Sequence, residues 1–131
     1  MEKVLKFLSE TGMFFFGTTD KEQPEVRPFG FVMQIDGKLY FGMGKHKNVY
    51  KQLLENPKFV VCASKADEWL RIRATAGLEA SEAAYKQAFA SAPYLSMIYN
   101  EETKLVFALV EAKDAVVEFQ TMAGIAETYP L

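Results

Sequence analysis

Two glycines and three basic side chains crowd into Gly42-Met43-Gly44-Lys45-His46-Lys47-Asn48, directly ahead of an apolar pattern of helical period. Such a strand-to-helix junction can hold an anion. A helix start offers unpaired N–H groups and a partial positive charge, glycines admit a ligand close to the backbone, and lysines add point charges suited to phosphate. The same run also fits a solvated basic turn, since short basic matches are common. His46 suits a neutral phosphate donor or an ordinary exposed residue; alone among lysines it is a poor general base.

A second group lies on the preceding strand. In Val26-Arg27-Pro28-Phe29-Gly30-Phe31, Arg27 shares a strand parity with Phe29 and Phe31. Pro28 cannot donate to a ladder and Gly30 has no side chain, so this segment suits an edge or the close approach of a flat group. Trp69, Arg71 and Arg73 repeat the pairing of ring and guanidinium on one strand face, although arginines covering apolar surface with their stems explain that face as well.

Other chemistries lack their residues. One His and one Cys give no CxxC, no HExxH and no histidine cluster for zinc, and neither GxSxG nor GxxxxGK[ST] occurs. Cys62, inside Phe59-Val60-Val61-Cys62-Ala63, is expected as a buried, inert thiol.

The elements that must position these residues follow from period and punctuation. Met1, Val4, Leu5 and Leu8 predict an opening helix that stops at Thr11-Gly12. Aromatic residues 13–19 predict a strand, Asp20–Pro24 a turn, residues 25–35 a second strand, Asp36-Gly37 a tight hairpin, and residues 38–43 a third strand. Asn48 is expected to cap a helix that ends at Asn56-Pro57. Strands follow at 59–64 and 69–80, an Ala-rich helix at 81–92, a shorter one from Pro93 to Tyr99, and closing strands at 105–110 and 115–120. About six mostly antiparallel strands with inserted helices predict an α+β fold, mainly β, in the form of a small barrel or curled sheet spanning residues 1–131 as one domain.

Composition agrees. Half of the 131 residues are hydrophobic and the net charge is −2, so no broad field favours nucleic acid or an anionic membrane. No stretch reaches the ~18 apolar residues of a membrane span, and a soluble chain in a reducing cytoplasm is expected.

Taken together and in this order, these segments make the chain resemble the pyridoxamine 5′-phosphate oxidase-like flavoproteins, the FMN-binding split barrels of Greek-key type, over nearly its whole length. The segments are Arg27-Pro28, Leu39-Tyr40-Phe41-Gly42, the lysine-containing loop, Gln52-Leu53 with Asn56-Pro57, and Trp69-Leu70-Arg71. The resemblance implies a homodimer with FMN at the subunit interface. It implies Arg27 and Lys47 near the phosphate, Pro28, Phe29, Gly30, Phe41 and Gly42 beside the ring or ribityl chain, Asn48 at the helix start, and Lys45, Trp69 and Arg71 as further cofactor contacts. The implied activity is a flavin-dependent oxidoreductase of unassigned substrate. The alternative is a cofactor-binding module without turnover, holding FMN, a deazaflavin or haem. Two departures stand out: residues 126–131 contain neither the tryptophan nor the arginine by which the oxidases proper hold flavin and substrate, and the loop has no Ser or Thr. Vitamin B6 chemistry is therefore not implied.

Overall fold

The computed structural model describes residues 1–131, and their order is helix, strand hairpin, strand hairpin, helix, strand hairpin, two helices and a final hairpin. Helix α1 (Glu2–Thr11) ends at Gly12, whose φ of 71° places it in the left-handed region that glycine adopts without a Cβ penalty. Strands β1 (Phe14–Asp20) and β2 (Gln23–Phe29) pair through a two-residue turn, and β3 (Val32–Ile35) and β4 (Lys38–Gly44) through Asp36-Gly37, where both φ values are positive. Helix α2 (Asn48–Glu55) follows, then β5 (Lys58–Lys65), β6 (Glu68–Gly77), α3 (Glu82–Ser91), α4 (Leu95–Ile98), β7 (Phe107–Thr121) and β8 (Gly124–Pro130).

One antiparallel sheet runs β2-β1-β5-β6-β7-β4-β3, with β8 paired to β7. The two end strands, β2 and β3, are consecutive in the chain, so the sheet curls into an open split barrel around an aromatic centre. Phe16 is that centre: it stacks on Phe29 and Phe59 at 4.7 Å and meets Phe41 edge-on at 5.6 Å. Val4, Phe7 and Leu8 of α1 close one part of this core, and Val49 and Leu53 of α2 another. A second, smaller core forms where α3 and α4 cover β3, β4 and β7, around Phe107.

The structure has eight strands where alternation predicted about six. The expected strand 25–35 is broken at Gly30-Phe31, because β2 must pair with β1 while β3 turns away to pair with β4. The expected strands 105–110 and 115–120 are one long strand, interrupted only by a bulge in which Asp114 and Ala115 lie opposite Ala74 of β6, with Asp114 at φ 51°.

Candidate functional site

Register decides which side chains share a face. Phe16 pairs with Arg27 and Val61, and Val61 pairs with Ile72, so Arg27 is on the core side of the sheet, at its β2 edge. There its Nη1 donates to the Phe16 carbonyl at 3.3 Å and to Thr18 Oγ1 at 2.7 Å, and its Nη2 donates to Gln52 Oε1 at 2.9 Å. Thr18 Oγ1 in turn donates to Gln52 Oε1 at 2.5 Å. β1, β2 and α2 are thus laced together by one guanidinium. Partial burial lowers the pKa of Arg27, opposed by the charge of Glu25, yet the side chain stays cationic. It takes part in none of the chain's ion pairs. Its Nε–H and remaining Nη2–H meet no protein acceptor, and together they form the side edge that grips carboxylates and phosphates with two parallel bonds.

Gln52 is on α2. The cap of this helix is Lys47 in extended conformation, with no side-chain cap bond, and Asn48 is already the first helical residue. That corrects the expected Asn48 cap: the first-turn N–H groups are left without a side-chain acceptor, as an anion would require. Lys45, Lys47 and Asn48 are all exposed. The Lys45 backbone N–H bonds the Val106 carbonyl at 2.8 Å, which ties the loop to the approach to β7, and a Cβ on Gly44 would lie 2.7 Å from His46 Nδ1, so the imidazole is folded over that glycine.

At Phe41 and Gly42 the side-chain space is taken by the protein itself. The Phe41 ring is wholly buried in the core, and the space beside Gly42 is filled by the rings of Phe31 and Phe107, not left open for a planar ligand. Gly42 is small because two aromatics need its place. Pro28 and Gly30 are exposed, on the edge strand and just past it, while Phe29 is half-buried against Phe16.

On the outer face the same register builds a second feature. One rung reads Pro28, Phe15, Cys62, Arg71 and Glu118; the next reads Val26, Gly17, Val60, Arg73 and Val116. Gly17 has no side chain, and Val60 Cγ1 takes the space beside it, 2.9 Å from where a Cβ would be. The result is a cleft of about 800 Å³ with an apolar floor and arginines along one wall. Cys62, expected buried, is half-buried and lines this cleft, because in β5 Phe59, Val61 and Ala63 are the inward residues. Trp69 is half-buried two residues before Arg71 on the same strand parity.

One chain therefore ties Arg27 to α2 through Gln52, and places Trp69 and Arg71 on one strand parity at the opposite face of the sheet. Thr18, Gln52, Gly17 and Glu118 were not among the expected site residues. Thr18 carried a signal, being a hydroxyl at the inward parity of Phe14 and Phe16; Gln52 is three residues after the inward Val49 on the same helix side.

The structural relatives share the fold. A NimC/NimA family protein from Clostridium acetobutylicum is 29% identical, with a TM-score of 0.87 over 100% of this chain and 93% of that one. General stress protein 26 from Bacillus anthracis aligns over 99% and 97% of the two chains at 14% identity and a TM-score of 0.72. A FAD-binding protein from Mesorhizobium loti aligns over 88% and 91% at 13% identity and 0.58. No curated protein is significantly similar in sequence. The pyridoxamine 5′-phosphate oxidase family pattern, by contrast, matches residues 1–123 of the 131, and with the split barrel in place the chain belongs to that family.

Proposed function

We propose that the chain is an FMN-binding flavoprotein that works as a flavin-dependent oxidoreductase, with its cofactor shared between two copies. The observation that carries this reading is Arg27: a half-buried cation satisfied by three neutral oxygens, with a two-donor edge left for an anion, bonded through Gln52 to a helix whose first turn has no side-chain cap. These residues fit a phosphate monoester. Arg27 would hold the phosphate, Lys47 would add charge from the solvent side, and Pro28 and Gly30 would flank the flavin from the exposed β2 edge. A second copy is needed to present Trp69 and Arg71, since one chain holds them on the other face. Bound FMN supplies hydride or electron transfer, and the protein supplies position and electrostatics. The hydrogen-bond partners of Arg27 are the Phe16 carbonyl, Thr18 and Gln52, none of them an ionisable group.

The same neutrality fits a second reading, a binding module without turnover. Reduction of the bound flavin by NAD(P)H and reoxidation by an acceptor separates the two. The cofactor itself is tested by an absorbance scan of the purified protein before and after incubation with excess FMN and desalting; a flavin spectrum is expected, and its absence in both samples sinks the proposal.

A further inference from the structure

One apolar surface, on α4, has no partner within the chain. The helix buries Leu95 in the smaller core and turns Tyr94 and Met97 outward, 52% and 80% exposed, with Ile98 beside them. The turn that follows is tied back onto it. Asn100 Nδ2 donates to the Ser96 and Met97 carbonyls at 3.0 and 3.2 Å, Thr103 Oγ1 donates to the Ile98 carbonyl at 2.7 Å, and the Thr103 N–H donates to Asn100 Oδ1 at 2.9 Å. Side chains thus satisfy the last carbonyls of this short helix and hold its apolar residues out as a fixed knob. An exposed tyrosine and methionine on such a support have the composition of an interface core.

The knob continues the β2 edge. Phe31, two residues past β2, and Tyr99, next after α4, meet the Phe107 ring at 5.3 and 5.1 Å. It also adjoins the basic loop, since the Val106 carbonyl accepts from the Lys45 N–H and a Cβ on Gly44 would lie 3.3 Å from the Tyr99 ring. The outer cleft has the complementary form, an apolar floor along Phe15, Val26 and Val60. Charge is complementary as well. Glu101 and Glu102 follow the knob with one lysine, Lys104. The cleft is lined by Lys58, Arg71 and Arg73 against Glu25 and Asp114, and Glu118, which pairs with both arginines, is buried.

We infer that α4 of one copy seats in the outer cleft of a second, with Met97 and Tyr94 on the floor at Val26 and Val60 and with Glu101 and Glu102 toward the arginine wall, and that the reciprocal contact closes a two-fold dimer. The contact also completes the cofactor site. Because α4 is bonded to the loop Gly44–Lys47, docking it draws that loop against the partner's outer face, which carries the second Trp69 and Arg71. The inference deepens the shared-site reading by naming the segment through which the second copy arrives, and rests on that reading for the cofactor alone.

Cross-linking between copies tests it, with circular dichroism melts to verify each variant's fold. In a Cys62→Ser chain, which removes the natural thiol, Met97→Cys and Val26→Cys are introduced singly and together, and each protein is treated at micromolar concentration with a short bismaleimide. The pair should give a dimer that survives denaturing electrophoresis, at least about tenfold more abundant than in either single variant, since only the pair spans the contact. Should Cys62→Ser fail to fold, the natural chain makes a second test by light scattering on dilution. There Met97→Glu should raise the dimer dissociation constant about tenfold or more, the scale of a lost interface anchor, whereas Met122→Glu, equally exposed on the β7–β8 turn, should leave it unchanged. Cross-linking of the pair no greater than of the singles, a Met97→Glu dimer as tight as the parent, or equal weakening by Met122→Glu overturns the inference. Flavin is scored separately by its visible spectrum. A dimer that binds FMN without the cross-link removes this docking and leaves the cofactor reading, and the cross-link without flavin does the reverse.

Discussion

A guanidinium at the barrel rim loses part of its hydration, and at Arg27 three neutral oxygens offset that loss without cancelling the charge. The uncancelled charge is what makes the residue available to an anion. Arg27→Ala should therefore cost FMN affinity about 1.5–3 kcal/mol, the scale of a lost charged hydrogen bond, whereas Lys47→Ala, exposed and screened, should cost nearer 1 kcal/mol. Fluorescence titration at low and at 0.5 M salt separates the two, because only the lysine contribution should shrink strongly with salt. An equal loss for both would mean that Arg27 serves the fold alone. Gln52→Leu probes the residue from behind: it removes the acceptor shared by Arg27 and Thr18, and should lower stability by about 1–3 kcal/mol while weakening FMN through a misplaced guanidinium. In the double variant with Arg27→Ala the two affinity losses should not add. Additive losses would show that Gln52 acts on the ligand directly.

Among the elements, β4 shows what glycine does in this barrel. The free side of Gly42 is taken by Phe31 and Phe107, which belong to the smaller core under α3 and α4. Gly42→Ala should lower thermal stability by about 1–3 kcal/mol through overpacking, and Phe107→Leu in the same chain should recover part of it, both readable in melts. Stability unchanged by Gly42→Ala would reopen the expectation that a ligand occupies this place. The same element marks the reach of the sequence. Period located α1, β1, α2 and β6, because each buries one face and its alternation or helical spacing reports that burial directly, while the hairpin was read from its Asp36-Gly37 turn. It failed where two partners compete for one stretch of chain. Arg27, Phe29, Phe31, Met33 and Ile35 keep one parity through residues 25–35, and the barrel's closure sets the break at Gly30-Phe31; β8, largely exposed and paired to β7 alone, has little apolar pattern to read. The site divides in the same way: Arg27 and Arg71 were visible as residue types, but their separation onto opposite faces depends on register, and the neutral acceptors around Arg27 come from two elements distant in sequence.

On the scale of the whole molecule, that separation is an argument for two copies. A ligand held by Arg27 is on the opposite sheet face from Arg71 of the same chain, whereas a two-fold axis would set the outer face of one copy against the β2 edge of another. The outer face is suited to such burial, since Phe15 is 49% exposed and Val26 68%, on adjacent rungs of a sheet that otherwise hides its aromatics. Two prolines, Pro24 and Pro28, keep β2 from adding another strand, so association through side chains is favoured over extension of the sheet. Light scattering at micromolar concentration should then give a mass near twice the 14.8 kDa of one chain. Val26→Glu, a charge placed at the β2 end of its rung on an exposed edge strand, should leave the fold intact and shift the protein to monomer. With the second copy gone, FMN affinity should fall by at least about tenfold, because half of the contacts to the ring would be missing. A Val26→Glu monomer that still binds FMN as tightly as the parent would place the whole cofactor site within one chain, and would leave the outer face with no part in it.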